Sequence, residues 1–143
     1  MDPTRQFCTF HLGDMLLGVE VEEVQEVLRF QETTAVPRAS ALVQGLINLR
    51  GNIVTAINLR QRFGMPLPTE GWHPMNVVLF TDGEAVSLLV DEIGDVVEVG
   101  EEEFEPAPET LRRGARELVR GVYKLEGQLL LHLDTKRTTE IGA

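Results

Sequence analysis

The sequence predicts a mostly β fold, built from two related units of about 70 residues that each carry the strand content of a small barrel. Three observations predict it. Apolar residues recur with a period of two along most of the chain, the spacing of half-buried strands. Four pairs of such runs are each separated by a short turn signal, the mark of a β-hairpin. The order of features in the first half then returns in the second.

The elements follow in chain order. Residues 7–12 and 15–21 flank Gly13-Asp14 and read as a first hairpin. Residues 22–28 place apolar side chains at Val24, Val27 and Leu28, a spacing that fits a short helical turn or a bent strand, with the helix preferred. Residues 45–49 and 53–59 flank Arg50-Gly51-Asn52 and form a second hairpin. Its alternation puts Leu46, Asn48 and Arg50 on one face and Ile47, Leu49 and Gly51 on the other. A Pro-rich loop over 65–74 is the best boundary between halves. Residues 77–80 and 85–90 flank Thr81-Asp82-Gly83-Glu84 as a third hairpin. Residues 92–97 predict a second short helix, weakened by Gly94. A longer helix is expected over 109–119, interrupted by Gly114. Residues 121–125 and 129–133 flank Glu126-Gly127-Gln128 as the fourth hairpin.

The repeat is explicit in the numbering. An offset of 69 brings Phe10 onto Leu79, Leu17 onto Val86, Val24 onto Ile93 and Pro37 onto Pro106. After a seven-residue insertion the offset becomes 76, bringing Val43 onto Val119, Gly45 onto Gly121 and Gly51 onto Gly127.

Composition excludes several functions. The 143 residues hold 13 Lys+Arg against 23 Asp+Glu, a formal net charge of -10. That balance opposes binding to nucleic acid or an anionic membrane. Split after Gly71, the charge is -2 in the first half and -8 in the second. The excess lies chiefly in a run from Asp91 to Glu109 with no basic residue, which reads as a solvated face, a partner-facing surface or, least of all, a metal site. It lacks the calcium-loop pattern. No run approaches the ~18 apolar residues of a membrane helix, and the N-terminus has no signal-peptide pattern. Cys8 reads as a small buried hydrophobe in a reducing compartment. His11 and His132 read as strand histidines on partly exposed faces, and His73 has no metal-ligand spacing to either. Phosphate-cradling and nucleophile-elbow motifs are absent, so neither a catalytic group nor a cofactor is predicted.

The segment Val43-x-Gly45-Leu46-Ile47-Asn48-Leu49-Arg50-Gly51-x-Ile53-Val54-x-x-Ile57-x-Leu59-Arg60 closely resembles the signature of the CheW family of bacterial chemotaxis coupling proteins. Val24-Gln25-Glu26-Val27-Leu28, Val90-Asp91-x-Ile93-x-Asp95-Val96 and Phe104-x-Pro106-Ala107-Pro108 resemble further family elements, in the family order. The resemblance runs from about Phe7 to Leu133. It implies a single CheW-like domain over 1–143. Two intertwined five-stranded SH3/OB-like barrels, approximately 7–64 and 75–135, would share a third apolar core; strand exchange between them is compatible with the sequence.

The resemblance also implies a non-catalytic adaptor, cytoplasmic and recruited to membrane-associated chemoreceptor arrays. It would join the cytoplasmic tip of chemoreceptors to the regulatory domain of the histidine kinase CheA. Val24, Gly45, Arg50, Ile93 and Val96 match receptor-side positions, and Glu26 and Val27 match kinase-side positions. Plain barrel core is the competing reading of Val24, Val27, Ile93 and Val96. Two departures stand out: Thr55 where the family often has Pro, and Asn58 where it often has Asp. Two other functions stay open. The chain could be a CheW-like module of a larger signalling protein, although it carries no phosphorylatable-histidine, ATP-binding or receiver domain. It could instead be a small-ligand barrel using Asn48, Arg50 and Asn58.

Overall fold

The computed structural model describes residues 4–68, 71–81, 83–111 and 113–140. Part of the third turn (Asp82) and one residue of the expected long helix (Arg112) lie outside the described residues. The first hairpin is β1 (Thr4–Leu12) and β2 (Met15–Glu20). A 3-10 turn over Val21–Glu23 leads into β3 (Val24–Leu28). The second hairpin is β4 (Val43–Leu49) and β5 (Asn52–Asn58), followed by the one-turn helix α1 (Leu59–Arg62). The third is β6 (Met75–Thr81) and β7 (Glu84–Val90), followed by β8 (Glu92–Gly100). After a second 3-10 turn come β9 (Phe104–Glu105) and α2 (Arg113–Leu118). The fourth hairpin, β10 (Val119–Leu125) and β11 (Gln128–Leu133), ends in α3 (Thr135–Thr139). All four predicted hairpins form. Each turns on a glycine in the left-handed region: Gly13, Gly51, Gly83 and Gly127.

The strands make two sheets, ordered β8-β1-β2-β11-β10-β9 and β3-β6-β7-β5-β4. Each sheet takes strands from both 7–64 and 75–135, joined by one parallel pair: β2 with β11, and β5 with β7. The third strands are exchanged. β8, from the second half, pairs with β1, while β3, from the first, pairs with β6. Registers match across the repeat. Phe10 faces Ile93 as Leu79 faces Val24, and Leu131 faces Leu17 as Thr55 faces Val86. Even the irregularities return, between Val43 and Gly45 in β4 and between Val119 and Gly121 in β10. The six-stranded sheet exceeds the expected five by the two-residue β9. In the other sheet a single Thr34–Leu46 bridge takes that role.

Apolar burial divides into three. The largest cluster lies between the sheets and includes Phe10, Leu17 and Val19 of one, with Leu79, Leu88 and Val90 of the other. Phe7, Leu16, Val99, Tyr123 and Leu130 form a second cluster, and Ile47, Ala56 and Leu89 a third. Each sheet therefore encloses a barrel-like core of its own beside the shared one.

Four expectations need correction. Residues 24–28 and 92–97 take the bent-strand alternative rather than the preferred helix, and only Val21–Glu23 form a 3-10 turn ahead of the first. Their registers slip at bulges, between Val24 and Glu26 in β3 and opposite Cys8 and Phe10 in β8. One extra residue turns a period of two into a spacing of three, which imitates a helix. The longer helix is only Arg113–Leu118 among the described residues, because Pro108 and the turn after it occupy its expected start. Gly114 lies where a Cβ would approach the Phe63 carbonyl oxygen to 3.0 Å, so its role is close packing against α1. Finally, His132 is buried rather than partly exposed. Its ring meets Phe7 edge-on at 4.8 Å, and burial, reinforced by Arg120 and Arg5, lowers its pKa to about 4. Cys8 is half-buried against the shared core, and burial raises its thiol pKa.

Candidate functional site

Arg50 and Gly51 are the central residues of the β4–β5 turn, and both have positive φ (52° and 87°), as a type I′ turn requires. The Asn48 side chain accepts a hydrogen bond from the Gly51 N–H at 3.0 Å and fixes the turn. Arg50 is thereby held above the sheet with 73% of its side chain exposed. Its two terminal nitrogens donate to the two carboxylate oxygens of Glu26 on β3, at 2.7 and 2.9 Å. This is the fork geometry that guanidinium and carboxylate favour. The pair joins two opposite edge strands of the five-stranded sheet, β3 directly and β4 through its turn. Around it lies a shallow cavity of about 540 Å³ whose lining includes Ile53, Thr55, Phe80 and Ala85. Ile53 and Phe80 are 62% and 57% exposed, and Val27 is exposed on the same edge strand. Large exposed apolar side chains beside an ion pair make a surface suited to a protein partner.

The other predicted residues divide. Gly45 is buried in β4, where an added Cβ would stand 2.6 Å from the Thr34 carbonyl oxygen. It is needed so that the Thr33-Thr34 segment can cross and form its bridge, in which Thr34 and Leu46 exchange two N–H···O bonds of 2.8 Å. Val24 and Ile93 are partly buried against the shared core, at equivalent places on the two exchanged strands. Val96, on β8, is 59% exposed. Glu26 and Val27 therefore stand on one edge strand of the five-stranded sheet and Arg50 at the end of the opposite one, whereas Ile93 and Val96 stand on an edge strand of the six-stranded sheet. Asn58 joins neither Asn48 nor Arg50. It sits at the far end of β5, caps α1 by accepting from the Gln61 N–H at 3.0 Å, and donates to Gln44 at 3.1 Å. The polar trio considered for a small-ligand barrel is thus not assembled. Thr55 pairs normally with Leu46 and Val86.

A second constellation escaped the sequence reading as a unit. The Asp91 carboxylate accepts from Arg60 (Nε at 2.9 Å and a terminal nitrogen at 2.6 Å), from the Trp72 indole at 2.9 Å and from the Gly13 N–H at 2.7 Å. Burial opposes ionisation of Asp91, but these donors and the Arg60 charge outweigh it and hold the carboxyl below its usual range. Both Arg60 and Asp91 belong to the quoted motifs; what joins them is invisible in a linear pattern. Asp91 therefore leaves the acidic run as a structural residue. Further along, Glu101 pairs with Arg5 and Glu105 with Lys124, each at 2.9 Å. Among the described residues no helix is long and apolar enough to cross a membrane.

A family model of the CheW-like domain matches residues 6–141. The chain belongs to the CheW-like domain family. The chemotaxis protein CheW of Rhizobium meliloti is 30% identical over 133 residues, covering 92% of this chain and 86% of the relative. That of Treponema pallidum is 29% identical over 137 residues, covering 93% and 81%. The crystal structure of the scaffolding protein TtCheW from Thermoanaerobacter tengcongensis superposes with a TM-score of 0.80 at 26% identity, covering 93% of this chain and 89% of that one.

Proposed function

We infer that this chain is a chemotaxis scaffold: a non-catalytic adaptor, acting as one domain, that joins the cytoplasmic tip of a chemoreceptor to the regulatory domain of the histidine kinase CheA. It would work in the cytoplasm, at membrane-associated receptor arrays. The observation that carries the reading is the Arg50–Glu26 pair, because it ties a residue assigned to the receptor side to one assigned to the kinase side. A scaffold that transmits rather than merely holds needs its two contact surfaces mechanically linked, and a bidentate ion pair is such a link.

On this reading a receptor helix lies along Val24, Ile93 and Val96, with Gly45 and Arg50 of the β4–β5 hairpin near it, in the helix-in-groove manner. Support comes from the placement of Val24 and Ile93 at equivalent positions of the two exchanged edge strands. The kinase domain meets Glu26 and Val27, where exposed Ile53 and Phe80 extend the apolar surface. The test is binding of the full chain to a receptor cytoplasmic fragment and to a CheA regulatory domain, followed by receptor-dependent kinase stimulation. Binding to both is expected, and binding to neither refutes the function.

A further inference from the structure

The two barrels are filled unequally. In the six-stranded sheet the Phe7 ring lies 5.3 Å from Tyr123 and 4.8 Å from His132, and Phe104 packs edge-on to Tyr123 at 5.2 Å. The repeat offsets place Asn76, Ile47, Ala56 and Ala35 at the corresponding positions of the five-stranded sheet. Four rings are replaced by four side chains without one. Trp72 takes up part of the difference by packing against the Ile47, Ala56 and Leu89 cluster. Beside this cluster, bounded on that side by Leu89 and Trp72, is an opening of about 340 Å³ whose lining also includes Phe30, Thr33, Gln44 and Pro74. That volume is within the roughly 300–1,000 Å³ of small-molecule sites.

The walls are fixed before any ligand arrives. The Phe30 ring is braced edge-on by His73 at 4.7 Å, and the Arg29 carbonyl before it accepts from the buried Asn76 amide at 3.1 Å. Trp72 is held through its indole N–H by Asp91. The Gln44 side-chain oxygen is occupied by Asn58. Its NH2 group and the Thr33 hydroxyl make no hydrogen bond among the described residues. Aromatic walls, an apolar floor and free donors form a matched set. Glu32, also in the lining, adds a negative charge to a protein already at -10.

We propose that this opening is a binding site for a small uncharged aromatic molecule bearing a carbonyl group. The ring would lie between Phe30 and Trp72 over Leu89, and the carbonyl would accept from the Gln44 NH2. The site uses none of the receptor or kinase residues, so it stands or falls separately from the scaffold function.

Trp72 is the sole tryptophan of the chain, so its emission reports the site directly. The full-length protein is titrated with benzamide and with benzoate. A saturable change with benzamide is expected, with benzoate at least about tenfold weaker because its charge meets Glu32. Phe30→Ala and Gln44→Leu, both at exposed positions and both checked for native circular dichroism, should each weaken benzamide by about tenfold. A response that only grows linearly with benzamide, equal binding of benzoate, or unchanged affinity in both variants overturns the proposal.

Discussion

Replacing Asp91 by Asn keeps the shape of the side chain and removes its charge. The carboxylate accepts four hydrogen bonds, two at each oxygen, from Arg60 Nε and Trp72 on one side and from the second Arg60 nitrogen and Gly13 on the other. An asparagine presents an NH2 to one of those pairs, so two donors then face a donor whichever way the amide turns. Hydrogen bonds to a charged group contribute about 1.5–3 kcal/mol each. The Arg60 and Asp91 side chains are 15% and 19% exposed, so water replaces part of the loss. A destabilisation of about 2–4 kcal/mol follows, short of the full cost of orphaning a buried charge. At this chain length that is about 3 °C of melting temperature per kcal/mol, or roughly 6–12 °C. The pH dependence supplies a second check. The folded pKa of Asp91 lies below its unfolded value of about 3.9, so its contribution is complete above that value and is lost as pH falls through the folded one. The gap between parent and variant, read by calorimetry, should be constant from pH 7 to about pH 5 and close on further acidification. A gap under about 0.5 kcal/mol at pH 7 refutes the reasoning, as does a gap that widens in acid.

Gly45→Ala should cost about 1–3 kcal/mol in urea denaturation, because its Cβ collides with the Thr34 carbonyl and must displace the bridge. Arg50→Gly should leave stability within about 1 kcal/mol, since relief of a left-handed non-glycine residue offsets the lost Glu26 pair, while receptor-dependent kinase stimulation falls. Undiminished stimulation by Arg50→Gly removes Arg50 from the interface. His132 has a folded pKa of about 4 against about 6.5 unfolded, so the unfolded state binds the extra proton between those values and stability declines as pH falls through that window. His132→Phe should flatten that part of the stability profile relative to the parent protein.

The hairpins were legible because turn chemistry and alternation are local: a glycine with positive φ is needed at each turn, and one stands there. The strands β3 and β8 were misread for a reason that the repeat itself exposes. Both carry a bulge at equivalent places, so Val24 and Val27, like Ile93 and Val96, are three residues apart on one strand. In β8 the bulge lets the Thr9 hydroxyl donate to the Asp95 carbonyl at 2.5 Å, a contact 86 residues long in sequence. Burial of His132 was hidden for a related reason: its neighbours Phe7 and Glu20 arrive through the parallel β2–β11 pairing, which no local pattern encodes. The candidate site was half legible. Motif residues could be named one by one, but not that Arg50 clasps Glu26 or that Arg60 clasps Asp91.

The repeat also explains why only one barrel carries the clasp. Arg50 corresponds to Glu126, and Glu26 to Asp95, by the same offsets that align the strands. In the five-stranded sheet the turn and the edge strand carry opposite charges and lock. In the six-stranded sheet the same two positions are both acidic, and equivalent placement would repel rather than pair. The split of net charge between the halves, -2 against -8, therefore has a local expression at these equivalent positions. Two equal barrels would offer two equal edges to partners and would invite self-association through either. Reversing one charge of the pair leaves one sheet whose two edge strands are clasped beside exposed Ile53 and Phe80, and another whose equivalent positions are both acidic. That inequality between the two sheets rests on the sign of one turn residue, Arg50 against Glu126.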